Sequence, residues 1–209
     1  MPYPKIPSLR PSLLRMHRTL LKIEGKHNWI DGTNPLSQFE KIVLLLEDRR
    51  FFNHLGIDWM SVIREILRLL TFRRHGGAST IDMQLFRTVS NRYERSIRRK
   101  VREWVGVLFM QKRLSKVQIL RLYVEVAYFG TSLIGARDGA KALFPDLFLD
   151  DEYWPDLEKL NLDQAAQLAA LLVYPKPRFP SADWHAKIRR RADYGIALYA
   201  RYKQKFDQC

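Results

Sequence analysis

The chain has 209 residues, 46% of them hydrophobic, with 36 Lys and Arg against 22 Asp and Glu and a formal charge of +14. This composition excludes a disordered chain and points to an anionic partner: nucleic acid, an acidic membrane surface or a phosphate-bearing substrate. One cysteine, Cys209, excludes an intramolecular disulfide and a thiolate metal site.

Residues 1–35 read as a basic, Pro-rich N-terminal arm, with a possible amphipathic helix over 13–23, and residues 36–209 as one domain. No signal peptide or transmembrane segment is visible. Apolar runs such as IVLLL (42–46) are far too short to span a bilayer. The spacing of Phe39, Ile42, Val43 and Leu46 predicts a helix over 36–48 that ends in Glu47 and Asp48. Asp58 caps a second helix with Ile63, Ile66, Leu67 and Leu70 on one face. RRHGGAST (73–80) reads as a Gly-containing loop. A third helix opens at Ser96 with Ile97, Val101, Trp104, Val105 and Leu108 inward. Ser115 and Gln118 form a capping box before a helix that packs Ile119, Leu122 and Tyr123. FGTSLIG (129–135) reads as a loop. Asn161 and Gln164 start another helix, which YPKPRFP (174–180) stops, and a basic helix covers about 183–204. With no period-2 alternation of any strength and no internal repeat, the expected fold class is mainly α.

Two stretches carry chemistry. RTVSNRYERSIRRKVR (87–102) places seven cations, Arg87, Arg92, Arg95, Arg98, Arg99, Lys100 and Arg102, against one acid, Glu94. On a helix Arg95, Arg98, Arg99 and Arg102 share a face, and their mutual repulsion calls for an anion. Guanidinium forks grip phosphate oxygens bidentately. Glu103 lies within helical reach of Arg99 and Lys100. Just upstream, GGASTIDMQLFR (76–87) offers a tight Gly-Gly loop and the uncharged donors Ser79, Thr80 and Gln84. The second stretch, LLEDRRFFNHLGID (45–58), sets a glutamate at the end of an apolar helix with charged and aromatic residues beside it. Taken alone, an acid that ends an apolar helix is a structural cap or a surface residue more often than a catalytic group.

EDRRFFNHLGID, GASTIDMQLFR, RRKVRE, SKVQILRLY, AYFG and LDQAAQLAALLVYPKPRFP with its following RRR occur in that order from about residue 36 to 195. Together they resemble the successive motifs of the peptidoglycan glycosyltransferases, the polymerase domains of bifunctional penicillin-binding proteins and the monofunctional transglycosylases. The resemblance implies a lysozyme-like fold with a large helical lobe and a smaller, membrane-embedded jaw lobe. It implies polymerisation of lipid II, an undecaprenyl-pyrophosphate-linked disaccharide-peptide, into β-1,4 glycan with inversion at the anomeric carbon. By the match Glu47 is the general base, and Glu103 is the second catalytic acid and the ligand of a divalent metal, Mg or Mn. Arg95 and Lys100 lie beside the pyrophosphate, Arg87 stands where the family usually has lysine, and Ser79 and Gln84 are polar substrate contacts. The implied partners are lipid II, the growing lipid-linked glycan, an anionic membrane surface and other cell-wall synthesis proteins, with no nucleic acid. The implied location is peripheral, at the outer face of the bacterial cytoplasmic membrane.

The chain departs from the family pattern at particular positions. GASTIDMQ carries Asp82 for a small polar residue and Met83 for a glutamine, so one substrate-facing amide is lost and one negative charge is added beside a polyanionic substrate, which is expected to weaken its binding or to mark a different glycan or lipid carrier. Glu125 replaces an asparagine, Arg137 and Asp138 fall where the family has small or acidic residues, and Gln111 stands for an acid. The competing readings are a muramidase-like hydrolase using Glu47 as an acid, which has no need of the arginine cluster; a basic nucleic-acid-binding helical module, in which the acidic pair has no role; and an inactive scaffold that binds lipid II without turnover.

Overall fold

In a computed structural model, the described residues are Leu14, Arg18, 34–70, 79–91, Tyr93, 96–148 and 156–206. The expected helix over 13–23 is described only at Leu14 and Arg18, both helical; the other residues up to 33, the loop 73–78 and Arg95 lie outside the described residues. The helices run α1 (Gln38–Glu47), α2 (Trp59–Leu70), α3 (Ile81–Ser90), α4 (Ile97–Gln111), α5 (Lys116–Val126), α6 (Ala136–Leu143), α7 (Leu162–Ala170) and α8 (Ala182–Phe206). A short ribbon, β1 (Tyr128–Gly130) and β2 (Leu133–Ile134), and single 3-10 turns complete the described fold, which is mainly α as expected.

Local sequence sets the helix starts. Ser37 and Glu40 form a reciprocal capping box on α1, as Asn161 and Gln164 do on α7. Ser96 caps α4 by accepting from Arg99 N–H at 3.1 Å. Ser115 and Gln118 exchange the expected pair of bonds before α5, at 2.9 and 3.2 Å. Asp58 accepts from the Met60 N–H and the Ser61 hydroxyl at the start of α2.

The chain divides into two compact units, one containing Phe52–Leu122 and the other Thr33–Phe51 with Tyr123–Cys209. The second unit is organised by α1, α7 and α8, each packed on the other two. Its core holds Phe39, Ile42, Val43, Phe129, Leu168, Ile188 and the small residues Ala165, Ala166 and Ala169. Burying each of the larger side chains contributes roughly 1.5–3 kcal/mol. The segment 129–135, expected as a loop, contains the antiparallel ribbon, which Lys176 extends by a bridge to Gly130. Strands of three and two residues are too short to show alternation in sequence.

In the first unit α3 packs on α4 around Leu85, Phe86, Val107 and Met110. Gly106 permits this approach, because a Cβ there would lie 2.2 Å from the Phe86 ring. This contact reverses the expected orientation of α4. Its buried face carries Glu103, Gly106, Val107 and Met110, whereas Val101 and Leu108 are exposed. On α2, Ile63 and Leu67, two of the four apolar residues expected on one face, are 52% and 56% exposed, so that face is outward at these positions. Trp59, Met60, Val101, Leu108 and Phe109 add to the apolar surface of this unit, and the Trp59 and Trp104 rings meet edge to face at 5.5 Å.

Candidate active site

In the second unit the catalytic carboxylate expected at position 47 is the last residue of α1. The capping box fixes one end of this helix and packing on α7 and α8 fixes its length. At the other end the last carbonyls lack intrahelical partners, and side chains supply them. Arg49 Nε donates to the Leu45 carbonyl at 3.1 Å, and Arg191 Nη2 donates to the Leu46 carbonyl at 3.0 Å. The same Arg191 nitrogen lies 3.2 Å from Glu47 Oε1. A carboxylate at a helix C-terminus opposes the helix dipole, and the two guanidiniums offset that cost. Arg49 also donates to the Tyr194 hydroxyl and stacks over that ring at 5.8 Å. Glu47 is thereby a mostly buried carboxylate of fixed direction, suited to accepting a proton. Sequence reasoning noted the RRR run but did not single out Arg191; its signal was a cation cluster on the helix that follows the proline-rich stop.

In the first unit Glu103 is 2% exposed and holds two arginines. Its Oε1 accepts from Arg87 Nε at 2.9 Å and from Arg99 Nη1, and its Oε2 from Arg87 Nη2 at 3.4 Å. Arg87 Nη2 also donates to Ser79 Oγ at 3.2 Å. The structure thus brings together Glu103, Arg87, Ser79 and Arg99 from α3, its N-terminal approach and α4. Arg99 Nε is buried with no hydrogen-bond partner among the described residues. A buried guanidinium with a donor to spare, beside a second guanidinium and a hydroxyl, is a pre-organised receptor for an oxyanion. Lys100 is exposed on α4, and Gln84 is half-buried on α3 with its carbonyl accepting from the Thr88 hydroxyl.

The residues around Glu103 do not fit a metal ion. A hard divalent cation takes several oxygen ligands. Here the carboxylate oxygens are already engaged by positive groups, so Glu103 orients arginines rather than ligating a cation.

The departures from the family pattern interlock. Asp82 is fully buried, yet its carboxylate accepts from Lys116 Nζ at 2.9 Å and from the Gln111 amide. The acid at 82 therefore meets the amide at 111, and the charge expected to disturb an anionic substrate is neutralised inside the fold. Glu125 and Arg137, also departures, bond to each other at 3.2 Å. Burial pushes the Glu125 carboxyl above its ordinary range and the Arg137 guanidinium below its own, each against their mutual attraction. Met83, expected at a substrate-contacting position, is 4% exposed and belongs to the core. The helix turns that position inward while Gln84 and Arg87 take the other face.

Residues 16–198 match the family model described as Transglycosylase. The chain is 32% identical over 151 residues to penicillin-binding protein 2a of Streptococcus pneumoniae serotype 2, covering 72% of this chain and 19% of that protein. It is 30% identical over 167 residues to penicillin-binding protein 1A of Rickettsia felis, covering 78% of this chain and 20% of that protein. It is 32% identical over 161 residues to a biosynthetic peptidoglycan transglycosylase of Alcanivorax borkumensis, covering 77% of this chain and 62% of that protein. The matched segment is thus about a fifth of the penicillin-binding relatives and under two thirds of the transglycosylase.

Proposed function

This chain belongs to the transglycosylase family, and from that premise we propose that it is an inverting glycosyltransferase that polymerises lipid II into the β-1,4 glycan strands of peptidoglycan. Glu47 accepts the proton of the acceptor sugar's 4-hydroxyl as that oxygen attacks the donor's anomeric carbon. The new C–O bond forms with inversion while the bond to the pyrophosphate oxygen breaks, and undecaprenyl pyrophosphate departs with the bonding electrons. Arg87 and Arg99, held by Glu103, take the negative charge that develops on the leaving group, with Lys100 and Arg95 adding to the field and Ser79 and Gln84 as polar substrate contacts. A divalent cation enters this reading as a counter-ion of the substrate's pyrophosphate, not as a ligand of Glu103.

The observation that carries the proposal is the buried Glu103 with its paired arginines. A hydrolase with one working acid has no use for an oxyanion receptor, whereas a transferase expelling pyrophosphate needs one. The apolar surface of α2 and α4 supports contact with a bilayer, where a polyprenyl-linked substrate resides; no helix among the described residues is long and apolar enough to cross one. Action at the outer face of the cytoplasmic membrane, beside other cell-wall synthesis proteins, is part of the same proposal. Incubation of the protein with fluorescent lipid II and Mg²⁺ or Mn²⁺, with products separated by size, tests it: glycan ladders are expected, and intact lipid II after prolonged incubation refutes it.

A further inference from the structure

A second cationic recess lies in the unit that carries Glu47. Tyr174, Lys187, Arg190, Arg191 and Tyr194 line an open cavity of about 340 Å³, at the lower end of the volumes that hold small ligands. Four of these side chains, Lys187, Arg190, Arg191 and Tyr194, come from α8, and Arg191 also reaches Glu47. Arg191 divides its donors: Nη2 faces Glu47 and the Leu46 carbonyl, whereas Nε is buried with no hydrogen-bond partner among the described residues. Opposing charge at the cavity is sparse. Lys187 pairs with Asp183 at 2.5 Å, on the exposed side of α8, and Glu47 holds only one edge of Arg191. Tyr194 is fixed by Arg49, and Tyr174 adds a second phenol.

Three cations and two phenols define a receptor for an oxyanion. We propose that the cavity lined by Tyr174, Lys187, Arg190, Arg191 and Tyr194 is an oxyanion-binding subsite that seats an acidic group of the substrate whose hydroxyl Glu47 deprotonates. Its place in the reaction rests on the reading of Glu47 as the base; its ligand class rests on the cavity alone. Arg191 then couples the two events, since the guanidinium that grips the anion also aims the base. The acidic group is a phosphate or a carboxylate, both of which the substrate class offers.

The test uses the full chain with nitrogen-labelled arginine. The Arg191 Nε–H resonance, assigned with R191K, is followed while inorganic pyrophosphate or acetate is added at constant ionic strength. A saturable shift with pyrophosphate assigns the subsite to phosphate, and a shift with acetate alone assigns it to a carboxylate. The double variant K187Q/R190Q changes two solvent-facing side chains, so the fold is retained, and it should weaken whichever anion binds by at least about tenfold. E47Q separates the two readings, because anion binding at Arg191 should persist in it whatever happens to turnover. If neither anion moves the Arg191 resonance, or if K187Q/R190Q binds as tightly as the parent, the subsite does not exist.

Discussion

Arg191 joins the carboxylate of Glu47 to the carbonyl of Leu46, at 3.2 and 3.0 Å from a single guanidinium nitrogen. One side chain on α8 therefore satisfies the end of α1 and fixes the direction of the last residue's carboxylate. Replacing Arg191 by glutamine leaves a helix carbonyl that one amide can still serve but removes the charge that aims Glu47. The expected result is a loss of glycan polymerisation of at least about tenfold in kcat, with the fold retained by circular dichroism. R191K should recover part of the activity, because the charge returns without the fork geometry. A purely structural role would instead lower the melting temperature and leave the specific activity of the folded fraction unchanged.

Glu103 is expected to act through Arg87 and Arg99. E103Q keeps the shape but removes the charge that holds two guanidiniums in a buried place. Pyrophosphate affinity and turnover should each fall by about tenfold or more. The Mg²⁺ or Mn²⁺ concentration giving half-maximal activity should stay within about twofold of the parent value. A large rise in that concentration would return Glu103 to the role of a metal ligand.

Glu125 and Arg137 supply a prediction about stability and pH. Both are mostly buried, so removing one partner strands the other. R137A should destabilise the protein by about 3–5 kcal/mol at neutral pH, whereas E125N/R137A should recover most of that loss. Glu125 titrates above its ordinary 4.5 in the folded protein because burial outweighs Arg137. In that window the folded state holds more protons than the unfolded one, so the Glu125 contribution to stability falls as pH rises. The R137A deficit should therefore shrink as pH is lowered toward the carboxylate range. Denaturant melts of the four proteins across pH check this, and a deficit that grows on acidification contradicts it.

The outward apolar stripe of α2 leads to a membrane prediction. Sedimentation with anionic vesicles is expected, partly reversed by salt, since each Lys or Arg near such a surface contributes about 1 kcal/mol. Ile63 and Leu67 are exposed, so I63E/L67E should not disturb the core but should cut vesicle binding several-fold. Unchanged sedimentation of that variant would place the lipid contact elsewhere.

These residues also show what the sequence could disclose. Caps and breakers are local, so the starts of α2, α4, α5 and α7 and the stop at YPKPRFP were legible from neighbouring residues. Helix orientation was not. Apolar periodicity assigns Val101 and Leu108 of α4 to a core, but the packing of Gly106 on Phe86 buries the Glu103 face and leaves both outside. Glu47 and Glu103 were identified by motif, whereas their partners Arg191 and Arg87 are 144 and 16 residues away in the chain, a relation that only folding reveals. For the same reason Asp82 and Met83 looked like perturbations of substrate binding. Asp82 is balanced by Lys116, and Met83 packs inside.

The most direct test of the account is lipid II polymerisation by Glu47→Gln. The substitution preserves size and can still accept one hydrogen bond, but it cannot take a proton. General-base contributions are roughly 10²–10⁴-fold, so turnover should fall at least about 100-fold while pyrophosphate binding and thermal stability stay near the parent values. Retention of more than about a tenth of parent polymerisation, well short of a general base's usual contribution, would contradict the assignment of Glu47 as the base and with it the proposed mechanism.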